Sequence, residues 1–113
     1  MNVTLNAGYG LGNTLTCPCC NEEYLHHGAV TVFDRNEDAP FVRKTTVADY
    51  VGVASVDNES SGNPSGRRTG LTIEFWCETC GGCDEDGNIT KPMLLHILQN
   101  KGNTYLHWEV LTA

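Results

Sequence analysis

The sequence predicts a mostly β protein, built as an antiparallel sheet or a small barrel. Three observations carry that reading. At least five short runs rich in Val, Ile, Thr, Phe, Tyr and Trp are separated by Gly, Pro, Asn and Asp turns. No sustained helical period is present. Two C-x-x-C pairs, Cys17 with Cys20 and Cys77 with Cys80, each sit at the end of a run or in the turn after it. Each such turn brings two sulfurs toward one point, and two turns supply the four thiolates of a closed tetrahedral zinc site. The predicted architecture is therefore zinc-ribbon-like, stapled by one four-cysteine zinc site. Fifty-six residues separate Cys20 from Cys77, so the ribbon carries a large insertion. A cross-link between such distant positions removes much loop-closure entropy.

Taken in order, Met1 to Asn13 reads as a flexible, Asn- and Gly-rich lead-in. Its Gly8, Gly10 and Gly12 do not form a dinucleotide fingerprint, because the third glycine stands two rather than three positions past the second. Residues 14–113 read as a single domain. Cys17-Pro18-Cys19-Cys20 is the first cysteine turn, with Cys19 as the spare sulfur. Ala29 to Arg35 is β-branched and predicts a strand. Phe41 to Val56 is also β-rich and predicts two short strands joined at Ala48-Asp49. Residues 57–70 form one long loop with no apolar side chain, a length that marks functional or disordered segments. Leu71 to Trp76 is the clearest strand, and it delivers the chain to Cys77. Residues 84–87 read as a polar turn, since the alternating ligands and distal Glu of a calcium loop are missing. Met93 to Leu98 and Thr104 to Val110 predict a hairpin in which Gly102 supplies positive φ. Helix competes for the first of these runs, because Pro92 suits a first helical turn. Strand is preferred because the run is short and its neighbour is β.

Bulk properties narrow the function. A chain of 113 residues buries roughly two thirds of its unfolded surface on folding. An apolar fraction of 40% then leaves a modest core, which structural zinc would supplement by on the order of 10 kcal/mol. The formal charge is −7, and four thiolates on one Zn²⁺ would bring it to roughly −9. Such a chain is repelled by phosphate backbone and suits a basic partner surface. No run approaches the ~18 apolar residues of a membrane span. The amino terminus lacks the basic and apolar blocks of a secretion signal. The expected location is the cytoplasm, where cysteines stay reduced and paired spacing favours metal over disulfide.

Other candidate residues carry less. Arg67-Arg68 is the only doubled arginine and the candidate contact for an anion or a partner. The competing expectation is a solvated pair, or one that pairs with Glu37 and Asp38 of the same chain. Adjacent His26 and His27 would point to opposite faces of a strand, one near the metal or one packed inside. Cys83 is an alternative ligand to Cys80. No enzyme is expected, because four thiolates leave zinc no open position for water or substrate.

CPCC-x4-LHH, V-x-V-F-x-R-x-E-D-A, NPSGRRTGL, I-x-F-W-C-E-x-C and Q-x-KG-x-T-x-x-x-W follow one another along residues 17–108. In this combination the chain resembles a group of short uncharacterised proteins of actinobacterial genomes, phages and prophages. The resemblance implies Cys17, Cys20, Cys77 and Cys80 as the cysteine framework. It also singles out Arg67, Arg68, Gln99, Lys101 and Gly102, and implies no chemistry. Cys19, Cys83 and the N-terminal extension depart from the pattern. The functional expectation is a small acidic phage-type zinc protein that acts by protein–protein interaction, as an inhibitor of host defence or nucleic-acid machinery. The alternative is a nucleic-acid-binding zinc ribbon. There Arg43, Lys44, Arg67, Arg68 and Lys101 would share a face with an exposed Tyr105 or Trp108.

Overall fold

The computed structural model describes residues 1–8, 10–81 and 93–110. The predicted 84–87 turn, Cys83 and Pro92 lie outside them. The described residues form eight strands: β1 (Leu5–Asn6), β2 (Thr14–Leu15), β3 (Leu25–Asp34), β4 (Phe41–Val47), β5 (Val51–Asp57), β6 (Gly70–Cys77), β7 (Met93–Asn100) and β8 (Asn103–Val110). β1 pairs only with β2. The other six make one antiparallel sheet in the order β5-β4-β3-β6-β7-β8. β5 and β8 remain as edges, so of the two predicted architectures the molecule is the open sheet and not the barrel.

The sheet consists of two meanders, β3-β4-β5 and β6-β7-β8, joined where β3 lies against β6. The local chemistry explains its turns. Lys101 and Gly102 take φ of 50° and 82° in the two-residue loop between Asn100 and Asn103, which pair across the ladder. Two left-handed residues match the twist of the flanking strands, and glycine takes the second at no steric cost. β4 and β5 break at 48–50 as expected. β3 starts earlier than the composition suggests, because a bulge at Gly28 and Ala29 lets it continue down to Leu25. The run after Pro92 is strand rather than helix.

Register assigns the side chains. Leu25, Ile73, Phe75, Cys77, Met93, Leu95, Trp108 and Val110 share one face. At the Cys77 end this face is covered. Cys17, Cys77, Met93, Leu95 and Trp108 form its buried cluster, with Val3 and Leu15 of the N-terminal segment packed against it. Within the lead-in expected as flexible over 1–13, residues 1–6 are bonded to the rest of the chain. The Met1 amino group donates to the Trp108 carbonyl at 3.1 Å, and the Trp108 amide donates to the Met1 carbonyl at 2.9 Å. Thr16 bonds the Thr4 carbonyl through both its amide and its hydroxyl.

The opposite face is covered at the opposite end. The segment between β5 and β6, expected as a loop without structure of its own, contains a helical turn, α1 (Asn58–Ser61), closed by Gly62 at φ 82°. It lies over Phe33 and Val42, which are buried. A Cβ on Gly70 would stand 2.4 Å from Asn63 Oδ1 and 2.8 Å from the Pro64 ring, so only glycine lets the segment approach this closely.

Candidate metal centre

Two turns with the same backbone logic build the site. In the first, after β2, the Asn21 amide donates to the Cys17 carbonyl at 3.0 Å, with Asn21 left-handed at φ 64°. In the second, ending β6, the Gly81 amide donates to the Cys77 carbonyl at 2.8 Å, with Gly81 at φ 71°. Each C-x-x-C is thus followed by a residue type that tolerates positive φ. The chain turns around its two sulfurs. The Cys19 amide points at Cys17 Sγ, 3.4 Å away, the kind of donor that stabilises a thiolate. β3 and β6 align the two turns: Leu25 opposes Cys77, and the Glu78 amide donates to the Tyr24 carbonyl.

The four sulfurs of Cys17, Cys20, Cys77 and Cys80 lie within 4.8 Å of one another. Cys17 and Cys80 are 3.6 Å apart, as are Cys20 and Cys77. This cluster can hold one metal ion. A tetrahedron with metal–sulfur arms of about 2.3 Å has edges of about 3.8 Å, and the two 3.6 Å pairs are close to that spacing. No disulfide joins these four sulfurs.

Ionisation is uneven. Burial pushes the Cys77 thiol up. Backbone amides of Cys80 and Thr79 and the thiols of Cys20 and Cys80 outweigh that, and bring it down to about 7. Cys20 is raised, chiefly by burial. Cys77 is therefore the sulfur most ready to meet a metal as thiolate. The Met93 thioether lies 3.9 Å from both Cys17 Sγ and Cys19 Sγ and closes the apolar side.

Cys19, expected as a spare thiol, is instead half of a disulfide, and its sulfur is not one of the four that cluster. The expected exchange of Cys80 for Cys83 falls outside the described residues. Neither neighbouring histidine joins the site, and neither packs inside. His26 stacks on Trp76 with centroids 4.4 Å apart and bonds Glu78 Oε1 at 2.5 Å. His27 is exposed and meets Phe75 edge-on. The doubled arginine also divides. Arg67 pairs with Glu37 at 3.0 Å and Asp38 at 3.3 Å, the competing expectation, while Arg68 is exposed.

The sequence reading missed a polar chain on the sheet face turned away from the cysteines. His96, buried, takes the Thr72 hydroxyl at Nδ1 (2.8 Å) and donates from Nε2 to Glu109 (2.8 Å). The carboxylate must accept, so Nε2 carries the proton and Nδ1 accepts from the hydroxyl. The chain lines a cleft of about 300 Å³ together with Lys44, Glu74 and Leu94. The only signal in the sequence was His96 alternating with Leu94 and Leu98, which gives its face but not its partners. Burial lowers the pKa of the adjacent His107, with His96 and the amino terminus adding to that, against Glu109.

The described Lys and Arg are segregated along the strands, while the carboxylates stand at both ends, with Asp34, Glu37, Asp38, Asp57 and Glu59 toward α1. Glu22, Glu23, Asp49, Glu74, Glu78 and Glu109 stand at the cysteine end, where no described residue is Lys or Arg. Arg35, Arg43, Lys44, Arg67, Arg68 and Lys101 all stand toward the α1 end. No described helix is long and apolar enough to cross a membrane. Comparison with protein-family models, with curated proteins and with solved structures finds no match to this chain.

Proposed function

We propose that the chain is a zinc-stapled binding module whose acidic cysteine end docks on a basic protein surface. Zinc suits the site because four clustered thiolates are its structural donor set and leave no position for a fifth ligand. In the phage-type setting that the motifs imply, the partner is host defence or nucleic-acid machinery, and the chain inhibits it by filling a basic groove. The observation that carries the reading is the charge segregation: six carboxylates gather at one end, unneutralised by any described Lys or Arg there. A metal bound by four thiolates adds a further net charge of about −2 at that end. Complementary fields of this kind speed encounter and select partners.

Binding rather than catalysis is also favoured by the cleft chemistry. Thr72 and His96 resemble a nucleophile and base, but β6 and β7 are paired on both edges. Their backbone amides are spent in the ladder, and none is left to stabilise an oxyanion. Of the two aromatics that the nucleic-acid reading needs, Trp108 is only 2% exposed, which leaves Tyr105 at 49%. Two of its five cations are engaged: Arg67 with carboxylates and Lys44 with the Ser61 carbonyl at 3.2 Å.

The test is capture from bacterial lysate at moderate salt. The bait is the wild-type protein, beside a variant carrying Glu74→Lys, Glu78→Lys and Glu109→Lys. A basic protein retained by the wild type and lost by the variant is expected. Equal recovery on both baits, or none on either, sinks the reading. A mobility shift of nucleic acid at low salt that Arg68→Ala abolishes would favour the alternative instead.

A further inference from the structure

One half of the cysteine-bearing face has nothing over it among the described residues. Beyond Leu95 and Trp108, where the N-terminal cover ends, register lines up Val53, Thr45, Val32, Leu71, Ile97 and Leu106 across all six strands. The adjacent row is Val51, Val47, Val30 and Ile73. These rows contain no charge. Val51 is 70% exposed, Val53 53%, Leu106 49%, Val47 48% and Val32 39%. Isolated exposed valines need no explanation, but a contiguous aliphatic sheet face does. A sheet is stable when each apolar face is packed against another layer.

We infer that a second copy of this chain covers the face, sheet against sheet, about a two-fold axis. Three features choose that occupant. First, the patch is aliphatic and uncharged, so an isologous contact brings its rows together at the ~10 Å spacing of packed sheets. Second, the row beyond it carries both signs. Asp34 opposes Arg43 in the ladder, and among the described residues neither forms an ion pair. A two-fold axis can set each arginine against the other copy's aspartate, so the rim is complementary to itself. Third, the five exposed aliphatic side chains offer on the order of 400 Å² per copy, and the half-buried residues between them add to it, toward the ~800 Å² of a standard interface. The undescribed residues of this chain are poor substitutes. Segment 82–92 leaves from Gly81 and returns at Met93, both at the cysteine end, and contains Asp84-Glu85-Asp86. The basic partner proposed above is no better suited, since the patch holds no carboxylate. The inference is thus independent of that reading.

The test is sedimentation equilibrium on the wild type, Val53→Lys and Leu106→Lys, with metal content as a control for folding at the cysteine end. The expected result is a wild-type mass of twice 12.3 kDa at micromolar concentration. Each variant should keep its metal and dissociate at least about tenfold more readily. A wild type that stays monomeric up to millimolar concentration overturns the inference. So does a dimer that survives both substitutions, since it must use another surface. If the variants lose metal, dilution of the wild type followed by methyl NMR decides. Changes confined to Val32, Val47, Val51, Val53 and Leu106 support the interface, and changes elsewhere or none refute it.

Discussion

At one end of the sheet the chain is closed by four sulfurs drawn from residues far apart in sequence. At the other it is closed by hydroxyl and amide groups of one segment. The two closures cover opposite faces and have different dependencies. Cys17 and Cys77 are buried, yet four thiols packed together are a poor core until a cation gathers their charge. The cover over Phe33 and Val42 needs nothing from outside. There Ser65, 1% exposed, donates to the Gln99 carbonyl at 2.7 Å and accepts from the amides of Arg67 and Arg68. The same sheet is thus stapled conditionally at one end and unconditionally at the other.

The largest expected effect comes from breaking the conditional end. Removing metal with a chelator, or replacing Cys77 with Ser, should unfold that end and with it most of the protein. Structural zinc sites contribute on the order of 10 kcal/mol, as much as the whole stability of a typical domain at ~5–15 kcal/mol. Near-ultraviolet circular dichroism from buried Trp108 is the readout. Acid should act in the same direction. Cys77 ionises at about 7 in the fold, below its ordinary 9.0. The unfolded chain therefore binds more protons than the folded one between those values, and stability rises with pH there. That contribution is full above 9.0 and disappears as pH falls through about 7. Bound metal would carry the loss to lower pH, since protons must then displace it. An unchanged melting curve in chelator would erase the difference between the two ends.

Breaking the unconditional end should cost less and ignore metal. Ser65→Ala removes one donor and strands two backbone amides and a carbonyl. The expected loss is about 2–3 kcal/mol, or roughly 10 °C in Tm. Metal content should be unchanged. If Ser65→Ala releases the metal, the two closures are one cooperative unit and the contrast is wrong.

The cysteine end was far more legible in the sequence than the α1 end, for a physical reason. C-x-x-C spacing states a local geometry outright, and two copies state a site. Alternation likewise gives each strand its two faces, and Gly102 gives the last hairpin. The segment 57–70 announces nothing, because its burial is satisfied by hydrogen bonds rather than apolar area. Ser61 and Ser65 are buried, but their composition reads as loop. Strand register is also silent. Trp108 is buried because it opposes Leu95, and no pattern within its own run says so. The N-terminal residues are too short and polar for a strand signal. They are ordered by pairing with residues about a hundred positions away. The disulfide at Cys19 runs against a reading that assigned reduced thiols by compartment.

The smallest expected effect concerns Arg67, half of the doubled arginine. Arg67 holds Glu37 and Asp38, but the three side chains are 39%, 54% and 62% exposed. Water screens such pairs, and their median value is about 0–1 kcal/mol. The backbone of Arg67 does more. Its carbonyl accepts the Asp38 amide at 2.8 Å, and its amide reaches Ser65 Oγ. Neither bond needs the guanidinium. Arg67→Ala should therefore lower Tm by no more than about 4 °C, and added salt should narrow the gap from the wild type as the ion pairs are screened. Ser65→Ala should keep its larger deficit at any salt, because its bonds are buried and uncharged. If Arg67→Ala proves the more damaging of the two, the α1 end is held by charge at its rim. It would then share with the cysteine end a dependence on solution conditions.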